Sequence, residues 1–281
     1  MPSVILATAF IPGLGRAIGF SALAVLGVLA IAFIVGRIRD RYRDIDVFWP
    51  LGFVAVAVSG FIASSGAHGA DSLQRGLILG AVTLWGLRLA IHLAWRSRGE
   101  GEDPRYAMII RGAKGRNETL YALIVIYGLQ AALMFFVSLT VTVGMFACAP
   151  NTIIEVLGAA IWVIGFGFEA IGDFQLESFK KNPANSGKVM DKGLWAWTRH
   201  PNYFGDATAW WGIFIIGAAG GWGLLTVLSP LLMTRLLTSV SGKPLLERRM
   251  AKTREGFEDY VNRTSAFLPR PPKRPRAESP N

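Results

Sequence analysis

The sequence predicts an all-α, polytopic membrane protein with about seven transmembrane helices, its N-terminus outside and its C-terminus inside. Three observations lead to this prediction. Of the 281 residues, 52% are hydrophobic and only 17% are charged, whereas soluble domains carry about 25% charged residues. Apolar stretches recur at roughly the 20 residues that a helix needs to cross the bilayer. Finally, basic loops alternate with loops that carry almost no basic residues.

The predicted spans follow one another with short connections. They cover approximately residues 17–35, 47–65, 73–95, 119–146, 152–173, 203–219 and 222–238. The last two are separate only if residues 217–223 form a tight turn, which we favour because one helix through both would be too long for a single span. We therefore divide the chain into an N-terminal segment (1–16), one membrane domain (17–268) and a basic, proline-rich tail (269–281) that we expect to be disordered.

Lysine and arginine set the expected orientation, because they accumulate in short cytoplasmic loops. The first, third and fifth loops hold the basic residues, namely Arg37, Arg39, Arg41 and Arg43; Arg96, Arg98, Arg105, Arg111, Lys114 and Arg116; and Lys180, Lys181, Lys188, Lys192 and Arg199. Membrane orientation explains the net charge of +10, so no nucleic-acid partner is expected. Cys148 is the only cysteine and the three histidines lie far apart in the sequence, so no metal is expected either.

Several ionisable residues interrupt the apolar stretches. Such residues cost a few kcal/mol at mid-bilayer unless they face a cavity or a partner, which makes them functional candidates. Arg88 lies within the third stretch, Glu155 and Glu169 within the fifth, Asp173 at its cytoplasmic end, and Asp206 early in the sixth. For Glu155, near the outer interface, the simpler interpretation is a side chain that reaches up to the headgroups.

The densest group of polar residues runs from 173 to 211 and contains GLWAWTRHPNYFGD. Lys180, Lys181, Arg199 and His200 place positive charge beside a helix start, where free backbone N–H groups also favour an anion such as phosphate. The alternative is an ordinary helix entry with a belt of interfacial aromatic residues, namely Trp195, Trp197, Tyr203 and Trp210.

These motifs carry a family resemblance. The GLWAWTRHPNYFGD run, the preceding DFQLESFKK and the closing PLLERRM resemble the bacterial branch of the steroid 5-alpha-reductase superfamily, related to 3-oxo-5-alpha-steroid 4-dehydrogenases, over roughly residues 40–268. A bacterial inner (cytoplasmic) membrane location is the corresponding expectation. The R-H-P-x-Y core is also similar to that of isoprenylcysteine carboxyl methyltransferases and phospholipid methyltransferases, which bind S-adenosylmethionine.

The resemblance to the reductases implies NADPH in a cavity that faces the cytoplasm. Groups near the adenine or nicotinamide would be Asp173, Asn202 and Asp206. Groups near phosphate and ribose would be Arg88, Arg96, Arg98, Arg105, Lys180, Lys181 and Arg199, and the cofactor-binding set is completed by His200, Tyr203, Trp210 and Glu247. Trp85 stands about where steroid reductases carry a substrate-binding tyrosine, so the resemblance does not extend to steroid specificity.

The leading hypothesis is NADPH-dependent reduction of a conjugated carbon–carbon double bond in a steroid-like or other lipid-soluble enone. Tyr106, beside Asp103 and Arg105, is the first candidate acid and Asp46 the second. One alternative is a lipid or isoprenylcysteine-type methyltransferase in which S-adenosylmethionine is held by Arg199, His200, Tyr203 and Glu247. The other is a non-catalytic membrane protein that binds lipid. The expected partners are the lipid-soluble substrate and membrane lipids.

Overall fold

The computed structural model describes residues 2–66, 71–146, 150–240 and 243–273, and the side chains among them except at 2–12, 243–246 and 249. Its regular elements are helices, accompanied in the described ranges by one isolated parallel bridge between Thr198 and Ser265. The predicted all-α class is confirmed.

The helices are α1 (Pro2–Ile38), α2 (Ile45–Ala63), α3 (Ser72–Arg96), α4 (Pro104–Arg111), α5 (Glu118–Ala122), α6 (Leu129–Gly144), α7 (Thr152–Lys181), α8 (Leu194–Trp197), α9 (Pro201–Ala218), α10 (Leu228–Arg235), α11 (Lys243–Thr253) and α12 (Phe257–Arg263). Wider π turns follow α5 (Leu123–Gly128) and α10 (Leu236–Val240), and tighter 3₁₀ turns cover Tyr42–Asp44, Pro183–Asn185 and Trp222–Thr226. The first π turn joins α5 and α6 into one continuous helical segment.

Six helical stretches in the described part of the chain are long and apolar enough to cross a membrane, so the chain is an integral multi-pass membrane protein. They are Gly13–Ile38, Tyr42–Ala63, Ser72–Arg96, Glu118–Gly144, Thr152–Lys181 and Trp222–Val240. The predicted span at 203–219 is present as helix α9, but it is not among the six because its first half is polar, with Asn202 and Asp206. The turn expected between the last two stretches is confirmed, since α9 ends at Ala218.

Two boundaries differ from the sequence-based expectation. Helix α1 begins at Pro2 and therefore starts well before the predicted first span. Helix α7 continues to Lys181, which places Asp173 inside the helix and not at its end. Of the predicted tail, residues 274–281 lie outside the described residues.

The chain forms two compact units, the first of which comprises residues 1–159 and 213–229. Helices α1, α2, α3 and α6 pack against one another in this unit. Glycine permits close approach of α2 and α3, because a Cβ on Gly86 would lie 2.9 Å from the carbonyl oxygen of Pro50. Phe53 and Trp85 fill the same interface with an edge-to-face contact of 5.8 Å. Trp85 is therefore a buried packing residue.

The second unit comprises residues 160–212 and 230–281. Helices α7 and α9 cross at Gly165 and Gly205, where a Cβ on either glycine would overlap the backbone of the other helix. Gly172 repeats this close contact about two turns further along α7, against Pro201 and Asn202. Small residues at intervals along facing helices are a common way to bring membrane helices into backbone contact. The crossing positions the polar residues of both helices.

Candidate functional site

The first group of predicted site residues lies in the first unit, at the start of α4. The Asp103 side chain caps this helix by accepting from the backbone N–H of Arg105, and Pro104 occupies its first turn. This entry fixes Tyr106 so that its hydroxyl donates to Oδ1 of Asp46 at 2.5 Å. Arg105 bridges Asp46 (3.1 Å) and Asp103 (3.0 Å). The structure thus brings together the two candidate acids, which we call the Tyr106–Asp46 pair.

The environment of this pair keeps the phenol protonated. Burial raises the pKa of Tyr106, and the negative charge of Asp46 together with its hydrogen bond raises that pKa further. Burial alone would also raise the pKa of Asp103, but hydrogen bonds from Arg105 and its charge bring the pKa of Asp103 below its ordinary value. Tyr106 is 5% exposed, whereas 36% of the Asp46 side chain is exposed. The pair therefore joins a buried donor to a partly exposed carboxylate at the start of α2.

Acidic residues that the sequence analysis passed over hold the loop before α4. Both carboxylate oxygens of Glu102 accept backbone N–H groups, from Tyr42 at 2.5 Å and from Arg43 at 3.0 Å. Arg43 in turn donates to Glu100 at 3.0 Å. These contacts tie the loop to the entry of α2, where Asp46 lies. The alternating charges of RYRDID and GEGED were the available sequence signal for this pairing.

The second group lies in the second unit and is centred on Glu247. Its Oε1 accepts from Nε of Arg199 at 2.9 Å and lies 3.0 Å from Nε2 of His200. Burial alone would raise the pKa of Glu247, but hydrogen bonds from His200 and Arg199, and their charges, hold this pKa at about 2. The Arg199 guanidinium also donates to the carbonyls of Val261 and Thr264, at the end of α12. We call Arg199, His200 and Glu247 the Glu247 cluster.

The C-terminal segment is built onto this cluster by contacts that the sequence analysis missed. The Tyr260 hydroxyl donates to the carbonyl of Trp195 at 2.7 Å, and Thr198 donates to the carbonyl of Phe267 at 2.8 Å. Burial raises the pKa of the Tyr260 phenol above its ordinary value. The sequence signal for Tyr260 was its F-x-x-Y spacing from Phe257, a short distance beyond the PLLERRM motif.

The remaining polar contacts of the second unit line the start of α9. Asn202 donates to Oδ1 of Asp173 at 3.1 Å. The ring of His200 stacks on Tyr203, with centroids 5.4 Å apart and planes 6° from parallel. The start of α9 therefore pairs Asn202 with Asp173 and His200 with Tyr203.

Other predicted residues have different surroundings. Asp206 and Trp210 are buried in α9, and Arg88 is half-buried in α3. Arg96, Arg98, Lys180 and Lys181 are exposed at helix ends, and Lys180 contacts Glu177 at 3.2 Å. Of these, Arg96 is near enough for its charge to act on Asp46. In the described part of the chain, no three His, Cys, Asp or Glu side chains form a metal-binding group.

Comparison with known proteins places the chain in a family. The family described as "Protein of unknown function (DUF1295)" matches residues 32–264, which include both groups of site residues. Neither a curated protein nor a solved structure matches the chain. The matched range covers most of the chain. The chain therefore belongs to the DUF1295 family of membrane proteins, which lies within the steroid 5-alpha-reductase-like clan.

Proposed function

We propose that this protein is a membrane-embedded reductase that uses NADPH to reduce a carbon–carbon double bond conjugated to a carbonyl group in a lipid-soluble substrate. The observation that carries the proposal is the Tyr106–Asp46 pair, in which the Tyr106 hydroxyl donates a hydrogen bond to Oδ1 of Asp46 at 2.5 Å. Reduction of an enone requires an acid at the carbonyl oxygen, where negative charge develops. Methyl transfer from a sulfonium has no such requirement, so a buried phenol held in its protonated form favours reduction.

The two residues of the pair act as one acid. Loss of the Tyr106 proton beside an ionised Asp46 is unfavourable, because burial and that carboxylate raise the pKa of the phenol. In the reactive state Asp46 is protonated and donates to the Tyr106 oxygen while Tyr106 donates to the substrate oxygen. The proton that leaves Tyr106 is replaced from Asp46, and no tyrosinate accumulates. Asp46 recovers its proton from water, since its side chain is 36% exposed.

The chain offers suitable groups for a dinucleotide with several phosphates. In the second unit, the exposed cations Lys180 and Lys181 suit phosphate oxygens, and Tyr203, whose ring stacks on His200, suits a planar base. When bound, NADPH would supply one hydrogen together with both electrons to the β-carbon, and the acid supplies the other hydrogen as a proton. The Glu247 cluster would hold the start of α9 in position and would not contact the cofactor through Arg199, because Arg199 already donates to Glu247 and to the end of α12.

A second candidate is methyl transfer from S-adenosylmethionine to a lipid or an isoprenylated cysteine. The observation in its favour is the assembly of Arg199, His200, Tyr203 and Glu247 into one contact network. Glu247, with its low pKa, stays ionised and would suit a positively charged ligand. A third candidate is a lipid-binding protein without catalysis, favoured by nothing beyond the apolar spans.

A binding experiment separates the three candidates. Full-length protein purified in detergent is titrated with NADPH and with S-adenosylmethionine, and binding is followed by isothermal calorimetry and by the change in melting temperature. The reductase proposal expects saturable NADPH binding and no S-adenosylmethionine binding. The opposite result would establish the methyltransferase candidate, and binding of neither by folded protein would leave the non-catalytic one.

A further inference from the structure

In the first unit, the starts of α3 and α7 hold buried polar side chains that the proposed reductase chemistry does not use. Glu155, in the first turn of α7, is only 1% exposed. The headgroup contact expected from the sequence is therefore wrong for this residue. Gln74, in the first turn of α3, is also 1% exposed. Both residues lie beside loops that lack basic residues, on the side expected to face outward.

Each of these side chains has a buried oxygen atom that accepts no hydrogen bond. Oε1 of Glu155 and Oε1 of Gln74 have no hydrogen-bond partner among the residues that the structure describes. The orientation of the Gln74 amide is fixed, because its nitrogen donates to the carbonyls of Ile216 (2.7 Å) and Gly217 (3.1 Å). Reversing the amide would place its oxygen against two carbonyl oxygens. Buried acceptors of this kind normally receive a donor or a cation.

The surroundings of these oxygens are electronegative. Asp71 caps α3 by accepting from the backbone N–H of Gln74 at 2.9 Å, and its charge acts on Glu155. The last turn of α9 ends at the same place, because the carbonyl of Ala219 accepts from the backbone N–H of Asn151 at 3.3 Å. The carbonyl end of a helix carries partial negative charge. The starts of α3 and α7 therefore both meet the end of α9, through Gln74 and Asn151, and Glu155 follows Asn151 by one helical turn.

The nearest arginine of α3 does not compensate this charge. Arg75 donates to Oγ of Ser64 at 2.8 Å, to the carbonyl of Phe61 at 2.7 Å and to Oγ of Ser65 at 2.9 Å. Its guanidinium also lies over the Phe61 ring, 4.5 Å from the centroid. These contacts satisfy the C-terminal end of α2 and leave Arg75 directed to that helix.

We infer that Asp71, Gln74 and Glu155 form a binding site for a hard divalent cation of the Ca²⁺ class. Carboxylate and amide oxygens are the ligands that Ca²⁺ prefers, and water completes its irregular coordination. Two carboxylates match the charge of a divalent ion. Since the ligands come from the starts of α3 and α7, with Gln74 also bound to the end of α9, the bound ion would stabilise the joint between three helices.

Calcium binding by the full-length protein in detergent tests this inference. After treatment with a chelator, binding of radioactive Ca²⁺ is measured by equilibrium dialysis, and thermal unfolding is compared with and without Ca²⁺. We expect one saturable site and a higher melting temperature with Ca²⁺. Asp71→Asn retains a good helix cap and should weaken binding at least about tenfold, which corresponds to roughly 1.4 kcal/mol. Glu155→Gln should abolish binding.

The control is Asp259→Asn, which removes an exposed carboxylate of α12 and should bind Ca²⁺ like the unsubstituted protein. Absence of Ca²⁺ binding in folded, unsubstituted protein would overturn the inference and leave water or a proton as the partner of Glu155. Unchanged affinity in both Asp71→Asn and Glu155→Gln would also overturn it. Because NADPH binding is measured separately, failure of this site would not count against the reductase proposal.

Discussion

Nε2 of His200 lies 3.0 Å from Oε1 of Glu247, although 47 positions separate the two residues in the chain. Nε of Arg199 contacts the same oxygen at 2.9 Å. One carboxylate oxygen thus joins the start of α9 to α11 through two consecutive residues. The R-H-P motif and the C-terminal glutamate are therefore parts of one structural joint.

Replacing Glu247 by Gln should change the acid stability of the protein. Its folded pKa of about 2 lies below the ordinary 4.5, so the stabilisation is fully present above pH 4.5 and is lost as the pH falls through 2. A difference of this size corresponds to about 3 kcal/mol, with the pH dependence concentrated between those two values. Glu247→Gln should lower the melting temperature at neutral pH and flatten its decline in acid. Parallel melting profiles for Glu247→Gln and the exposed control Glu258→Gln would contradict the prediction.

Replacing Tyr106 by Phe should remove the proton donor without removing the cofactor site. A positioned general acid contributes roughly a hundredfold or more to rate, so turnover of NADPH with an enone substrate should fall by at least about that factor while NADPH affinity stays within about twofold. Asp46→Asn should cause a loss of the same order. The matched control is Tyr121→Phe, a half-buried tyrosine of α5. Equal losses in Tyr106→Phe and Tyr121→Phe would remove Tyr106 from the mechanism.

Replacing Lys180 by Ala should weaken NADPH binding if the end of α7 contacts a phosphate. One charge-assisted hydrogen bond contributes roughly 1.5–3 kcal/mol, which corresponds to about ten- to a hundredfold in affinity. Arg199→Ala should lower the melting temperature, because Arg199 holds Glu247 and the end of α12, and should weaken NADPH binding indirectly by displacing the start of α9. Lys252→Ala, an exposed lysine of α11, is the control. Unchanged NADPH affinity in both folded variants would argue against a phosphate site here.

Replacing Asp206 by Asn should show whether this residue has a ligand-binding role or a structural role. Asp206 is buried one turn into α9 and the substitution keeps its size while removing its charge. We expect folded, membrane-inserted protein whose NADPH affinity or turnover falls at least about tenfold, equivalent to roughly 1.4 kcal/mol. Calorimetric titration and thermal unfolding measure the two quantities. Loss of stability with intact NADPH binding would assign Asp206 to an internal ion pair.

Reporter fusions test the orientation of the spans. Reporters placed after Gly99, after Ser186 and at the C-terminus should all signal the cytoplasm, because the adjoining loops are basic. Reporters inserted near Gly69 or Gly220 should signal the outside. A cytoplasmic signal at Gly220 would mean that α9 does not cross the membrane as a separate span, and the seven-span topology would have to be abandoned.

Hydropathy and the positions of helix-ending residues predicted most of the fold. The apolar stretches became helices with bounds close to those expected, and the glycines at 217–223 marked the end of α9 correctly. The extension of α7 to Lys181 was missed, because five of the eight residues 174–181 are charged or polar, and such residues at an interface can continue a helix without a sustained hydropathy signal. Hydropathy also does not distinguish α9, whose polar first half belongs to the candidate site, from an ordinary span.

The sequence could group candidate residues only where they are neighbours in one motif or share a chemical type. His200, Asn202 and Tyr203 follow one another at the start of α9, and Asp46 and Tyr106 were both chosen as acids. Their hydrogen bond could not be derived, because it depends on how the loop before α4 is tied to α2 by Glu100 and Glu102. Long-range contacts such as Tyr260 to Trp195 have no periodic signature at all.

The crossing of α7 and α9 at Gly165 and Gly205 leaves no side chain between the two helices. The separation of their axes is therefore set by backbone atoms, and Asp173 and Asn202, which face each other beyond the crossing, inherit their spacing from it. A single methyl group at either glycine would push the two helices apart and would move all the polar residues at the start of α9 together. Under the proposed function, a substitution at either glycine would therefore change ligand specificity through the width of the helix crossing alone, with every ligand-binding side chain unchanged.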